Sequence, residues 1–595
     1  MKSLACIAAL LAASPLAAQA PDTAYVRQRV AYRIEAALDE GTDVLSGRAL
    51  LRYRNGARVA LDTLWFHLHL NAFRPNSAWA RRDLEAGLDR FQRLGPDEHA
   101  FERLKAVEVD GRPVAPVYPG APDSTVVGLP LPEPLAPGDS TTVRIDWDAR
   151  LSTTPRRQGR RDRHFDFAQW YPRIAVYDRG GWQVQPLMPQ GEFYGEFATY
   201  DVTLDLAEDQ VVGATGVPVE GDPGWAGAQV RGSAAPLLQR DAYDAGPAQP
   251  LGLLAATPAD GRRRIRWYAE DVHHFALSAS PRYIHEGGRF EDVAVHVLYQ
   301  PGDTAWDDGV AVRRTAAALA FFDTIFGDYP WPQLTNVHRI ENGGTEFPMM
   351  IMDGSASEGL IVHETAHQYV HGILANNEWR QGWLDEGFAS FLGNWYSEEH
   401  GADPVRLWSG ALDQMAALER TRATQPIALP AAEFRDFNTY NAMTYTKPAI
   451  VLRMLRWLMG EDDFRRALRH YFAENALRHV REDDFVASVE AFHPEPLDWF
   501  FQQWIHTIQT LDYRLGDVTT TEQPGGGWRT TVEVLRDGEA WMPVDVRVGD
   551  ETRRLESRER RQVVTVATAA RPPEVVLDPD RILLDIDPSN NRRRP

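Results

Sequence analysis

Apolar and polar positions follow three rhythms along the chain. From about residue 25 to 285, β-branched and aromatic residues alternate with polar ones or cluster in short runs, as in AYRIEAALD, RALLRYRN, STTVRIDWDARL and TYDVTLDL. A period of two marks half-buried strands, and Pro/Gly turns such as LAPGDS at 135–140 separate them. This region is predicted to be one large β domain, 21–285. From 286 the rhythm changes. FEDVAVHVLYQP (290–301) reads as a strand and DDGVAVRRTAAALAFFDTIFG (307–327) as an amphipathic helix closed by Gly327. DYPWPQLTNVHRI reads as a turn and strand, and GGTEFPMMIMDGS (343–355) as an edge strand. Helical spacing then takes over around 363 and 386, and near 402–420, 441–460, 462–475, 482–492 and 497–508, with Gly460, Pro494 and Pro496 as breaks. Strands first and helices after describe an α+β domain, 286–509. From 510 short strands return around the turn QPGGGW (523–528), which suits a small C-terminal β-sandwich, 510–595. NNRRRP at the end is expected to be a disordered tail.

Chemistry concentrates at HETAH, residues 363–367, and at Glu386 in WLDEGFAS. His363 and His367 are four apart, so a helix presents both imidazoles on one face, within reach of one metal ion. Glu364 sits beside the first ligand and can aim its carboxylate at a water on that metal. LDEGFASFLGNWYSEE has apolar residues at helical spacing (Leu384, Phe388, Phe391, Leu392, Trp395), so a second helix can deliver Glu386 as a third ligand. Two His and one Glu leave a fourth tetrahedral position open, which a catalytic zinc site requires and a structural one lacks. The sequence thus calls for one Zn2+ held by His363, His367 and Glu386.

Composition narrows the partners. The chain has 595 residues and a formal net charge of −21, so it repels phosphate backbones, and nucleic acid is not an expected partner. MKSLACIAALLAASPLAAQA has a positive start, an apolar run over 4–13 and a small-x-small ending, and reads as a signal peptide, 1–20. That implies a secreted or periplasmic protein. No later stretch is long enough for a transmembrane span. Cys6, the only cysteine, lies in this leader, so the mature chain is expected to have no disulfide. RRQGRRDR at 156–163 is a basic island, read as a solvated loop. No sequence feature specifies an oligomeric state.

HETAH-x18-Glu386 followed by GFAS resembles the signature of the aminopeptidase N family of zinc metallopeptidases (gluzincins). GGTEFP is similar to that family's GxMEN motif and places Gly343, Gly344 and Glu346 on its two small residues and its Glu. YTKPAIVLRML is similar to the family's YxKGAxxLxxL helix and places Tyr445 on the catalytic tyrosine. TYDVTLDL, DVHHFALSASP and FGDYPWPQL resemble family landmarks in the same order. The resemblance implies a β domain capping a thermolysin-like catalytic domain, and an aminopeptidase acting on peptide substrates. Glu364 would be general base and acid, and Tyr445, with Tyr440 assisting, would stabilise the oxyanion. Glu346, Gly343 and Gly344 would bind the substrate's free amino end. Gln169 is a further candidate for that ammonium, because the family uses a Gln or Glu from its β domain. His371 lies off the ligand face and is read as a non-ligand.

The sequence also departs from the pattern. Thr345 and Phe347 replace Met and Asn of GxMEN, Pro448 replaces the Gly of YxKG, and Glu346 lies only seventeen residues before His363. Two alternatives stay open: a zinc endopeptidase or other hydrolase on the same scaffold, and a non-catalytic peptide-binding relative.

Overall fold

Val44–Arg54 shows how the first sheet forms: its residues alternate between core and surface along nearly the whole strand. It sits inside an eight-stranded sheet with spatial order Val217–Glu220, Arg262–Val272, Ala198–Ala207, Arg29–Asp39, Val44–Arg54, Ser140–Arg150, Phe101–Val109, Arg112–Pro113. Arg29–Asp39 runs parallel to Ala198–Ala207, and the remaining pairs of the sheet are antiparallel. Gly47 lies directly opposite Trp147, and a Cβ there would come within 2.3 Å of the indole. A strand glycine is needed where a neighbouring ring lies this close. Sheets of two, three and four strands complete the β-rich region among the described residues. The computed structural model describes residues 27–191, 193–225, 243 and 250–595. The predicted leader, 1–20, lies outside the described residues.

A five-stranded sheet follows, ordered Ile284–Phe290, Val293–Tyr299, Gln333–His338, Met350–Asp353, Glu346–Phe347. The helix Val310–Ile325 packs on this sheet and against the helix Glu358–His367. The stretch predicted as one edge strand, 343–355, is two strands. Met350–Asp353 is interior, parallel to Gln333–His338, and only Glu346–Phe347 is at the edge. Pro348 and the left-handed Met349 (φ 62°) turn the chain between them. The helices Glu386–Glu399, Pro404–Arg420, Lys447–Met459, Glu461–Asn475, Glu482–Glu490 and Asp498–Trp504 fall where the apolar spacing placed them. Phe388, Phe391, Leu392 and Trp395 are all buried. Pro404–Arg420 begins as local chemistry dictates, with Asp403 accepting from Val405 N and Arg406 N and Pro404 in the first turn.

The C-terminal region comprises a three-stranded sheet (Tyr513–Glu522, Trp528–Arg536, Arg561–Thr568) and a four-stranded one (Glu551–Leu555, Val544–Val548, Val575–Leu577, Arg592–Arg593). The expected disordered tail is therefore corrected. Arg592–Arg593 pairs with Val575–Val576, because backbone pairing at a sheet edge does not depend on apolar side chains. No helix among the described residues is long and apolar enough to cross a membrane.

One buried ion pair ties the helices together. Lys447 Nζ lies 3.0 Å from Glu419 Oε1, with both side chains essentially without solvent (0 and 1 % exposed). Removing one partner strands a charge in the interior, which costs about 3–5 kcal/mol. Lys447→Met is expected to lower unfolding stability by this order in denaturant titrations. Lys447→Met combined with Glu419→Leu should recover most of the loss.

Candidate metal and active site

The helix Glu358–His367 carries HETAH at its C-terminal end, and Glu386 opens the helix Glu386–Glu399. These two helices pack against each other. His363 Nε2 lies 3.1 Å from His367 Nε2 and 3.2 Å from Glu386 Oε2, and His367 Nε2 lies 3.3 Å from the same oxygen. Zinc bound at about 2.0–2.1 Å in a tetrahedron sets its ligands about 3.3 Å apart. The three atoms therefore form one face of such a tetrahedron, and the donor set of two imidazoles and a carboxylate suits zinc. His367 and Glu386 are buried, whereas His363 keeps 22 % of its side chain exposed. Solvent thus reaches the trio from the His363 side.

A carboxylate outside the trio orients it. Asp385 Oδ1 bonds His367 Nδ1, which leaves Nε2 for the metal. The other oxygen of Asp385 lies 3.1 Å from His371 Nδ1, which is itself 3.3 Å from Glu378 Oε1. Burial disfavours charge on His367, but Asp385 and Glu386 raise its pKa well above the usual imidazole range. Burial likewise opposes ionised Glu386, but His367 and His363 hold its carboxyl below the usual range. The segment after HETAH, Gln368–Ile373, is a π-helical turn that buries His371. There it faces Asp385, Glu378 and Glu346 rather than the His363–His367–Glu386 trio.

Glu364 is buried beside the trio, and its Oε2 has no hydrogen-bond partner among the described residues. Burial pushes its carboxyl well above the carboxylate range, opposed by His367 and reinforced by Glu346, Asp353 and Glu386. Gly344 makes room for it: a Cβ at 344 would lie 2.0 Å from the Glu364 carboxyl carbon. Gly343 has a left-handed backbone (φ 79°) that turns the loop into Glu346. Glu346 is buried on its short edge strand, with Oε1 unpartnered. Tyr445 lies in a second π-helical turn, Ala442–Thr446. Its hydroxyl bonds Glu386 Oε1, and its ring stacks on His363 with centroids 6.4 Å apart. Tyr440 is buried edge-on to Tyr445 at 6.4 Å. Gln169, with a left-handed backbone (φ 57°), is buried with Nε2 unpartnered. It lies beside His69.

The basic island corrects the solvated-loop reading. Arg156 pairs with Glu341 at 2.7 Å, and Arg157 N donates to the same carboxylate. The Arg157 guanidinium lies 5.3 Å from the Phe193 ring centroid, within electrostatic reach of Glu346, Tyr445 and Glu378. The pairs with Glu341 form across more than 180 residues, so no local pattern could reveal them. Asp385 was missed for a different reason. It adjoins a ligand in sequence, but only the fold turns its carboxylate onto His367.

An α+β region that offers HExxH from one helix and a Glu from the next defines a class, the single-metal peptidase scaffold. Residues 348–504 match the Peptidase family M1 domain, the domain of the aminopeptidase N family. Aminopeptidase 2, mitochondrial, of Saccharomyces cerevisiae is 27% identical over 216 residues, 32% of this chain and 22% of that protein. The chain aligns with about a quarter of the length of the curated relatives it matches. An M1 zinc metallopeptidase from Deinococcus radiodurans shares the fold at a TM-score of 0.53 and 18% identity, over 82% of this chain and 95% of that one. Legionella pneumophila aminopeptidase A in complex with aspartic acid shares it at a TM-score of 0.63 and 15% identity, over 95% of this chain and 60% of that one.

The Asp385–His367 bond leads to an expectation that can be measured. Losing such an outer carboxylate typically costs 10–100-fold in metal affinity. Asp385→Ala is expected to lower zinc affinity by that factor in chelator competition. Unchanged affinity would show that His367 is oriented by other means.

Proposed function

We propose that this chain is a zinc-dependent aminopeptidase, removing N-terminal residues from peptides. The observation that carries the proposal is the meeting of His363 Nε2, His367 Nε2 and Glu386 Oε2 within 3.3 Å of one another, next to the free oxygen of Glu364. His363, His367 and Glu386 would hold the zinc ion, which would supply Lewis acidity toward the attacking water and the scissile carbonyl. Glu364 takes the proton of the attacking water and delivers it to the leaving amine. Its raised affinity for a proton in this buried setting suits a group that must carry one between two positions. Tyr445 turns its hydroxyl from Glu386 to the carbonyl oxygen as negative charge gathers there.

Glu346 offers its unpartnered buried oxygen to the substrate's α-ammonium. Burying that charge pair without water makes the missing ammonium of a blocked peptide costly, so cleavage is measured from the free N-terminus. The loop Gly343–Gly344 sets this distance by letting Glu346 and Glu364 approach together. Gln169 is a further candidate for the amino end from the β-rich side.

Three measurements test this reading. Glu364→Gln is expected to retain zinc by elemental analysis and to lose turnover by orders of magnitude on aminoacyl substrates. Tyr445→Phe is expected to lower kcat by about 10²–10³, the usual cost of one oxyanion donor. N-acetylated peptides are expected to resist cleavage, and Glu346→Gln to narrow the gap between free and acetylated substrates. Equal cleavage of both forms by the unaltered protein would favour an endopeptidase instead.

A further inference from the structure

The proposed chemistry uses only the first half of the basic island. Arg161 and Arg163, in its second half, line a cavity of about 440 Å3 together with Arg282 and Arg339. That volume falls within the range of small-molecule sites. Arg163 is committed to Glu40 and Asp209, and Arg339 donates to the carbonyls of Glu341 (3.1 Å) and Asn342 (2.7 Å). Arg161 and Arg282 are exposed and form no ion pair among the described residues. His338 also lines the cavity, and its buried Nδ1 has no hydrogen-bond partner. Asp162 is the one acid in the wall.

Of the four guanidinium groups around this opening, those of Arg161 and Arg282 have no carboxylate partner among the described residues, so their positive charge is left facing the cavity in a chain of net charge −21. An anion balances that charge. Guanidinium forks match phosphate and carboxylate groups in particular, since two parallel N–H donors meet two oxygens. The cavity also touches the catalytic loop. Besides the two carbonyls, Arg339 bonds the Thr345 hydroxyl, so it braces the segment leading directly into Glu346. Ile340, the next wall residue, is fixed by its N–H on Asp166 Oδ2 at 2.8 Å.

We propose that this cavity is a regulatory site for a small anion with a phosphate or carboxylate head, coupled through Arg339 to the loop bearing Glu346. The coupling rests on the aminopeptidase reading above; the binding does not.

Calorimetry on the zinc-loaded full chain, with inorganic phosphate and with succinate at ionic strength held constant by sodium chloride, separates the two heads and removes screening. Saturable binding of at least one anion is expected, weakened tenfold or more in Arg161→Ala/Arg282→Ala. That double variant should keep its zinc content and its anion-free kcat/KM. The anion that binds is expected to shift KM for an aminoacyl substrate at least twofold in the unaltered protein and not in the double variant. Absence of saturable binding, or equal binding by the double variant, overturns the site whether or not the chain is a peptidase. Binding with no change in KM or kcat overturns the coupling.

Discussion

The structure depends on a buried cluster of acidic side chains gathered around the His363–His367–Glu386 trio. Glu346, Glu364, Glu378, Asp385 and Glu386 are all within a few per cent of complete burial. Isolated carboxylates in such a setting are costly, and each is tolerable only when paired, hydrogen-bonded or facing a cation. His363, His367 and Glu386 present one triangle of atoms sized for a metal, and Asp385 secures it from behind. The surrounding helices, both π-helical turns and the glycine loop hold these side chains at that separation.

The β-rich region contributes to this cluster as well as covering it. Arg156 and Arg157 engage Glu341, on the catalytic loop, and Phe193 N donates to Glu378 Oε1 at 3.1 Å. His273 Nε2 bonds the His371 carbonyl at 3.0 Å. A carbonyl only accepts, so that nitrogen carries the hydrogen. Burial pushes the pKa of both His273 and His274 well below the usual imidazole value, so the pair is neutral and adds no charge to the site. The helical region carries the His363–His367–Glu386 trio, while the β-rich region supplies contacts to the acids beside it.

Two helices, Glu358–His367 and Phe437–Asn441, run on into π-helical turns, and each turn delivers a polar side chain that a regular helix would aim elsewhere. Gln368–Ile373 turns His371 inward, and Ala442–Thr446 turns Tyr445 onto Glu386. Such turns are frequent at functional sites because one extra residue per turn re-aims the side chains that follow. Pro448, which stands where the related helix motif has Gly, falls just after the second turn. It lies in the first turn of Lys447–Met459, where a missing N–H costs little.

The chain alone pointed to the order of elements and to the trio His363, His367 and Glu386. Strand and helix periods are local, and His363, His367 and Glu386 belong to motifs whose spacing is set by helix geometry. The buried apolar face of Glu386–Glu399 was legible for the same reason: a period of 3.6 admits one solution. Tertiary structure alone decided the role of Asp385, the inward turn of His371, the split of the basic island between a cleft and a cavity, and the pairing of Arg592–Arg593. Each depends on electrostatic or backbone contacts between residues that are distant in the chain or turned by a local distortion. Such contacts leave no periodic trace in the order of amino acids.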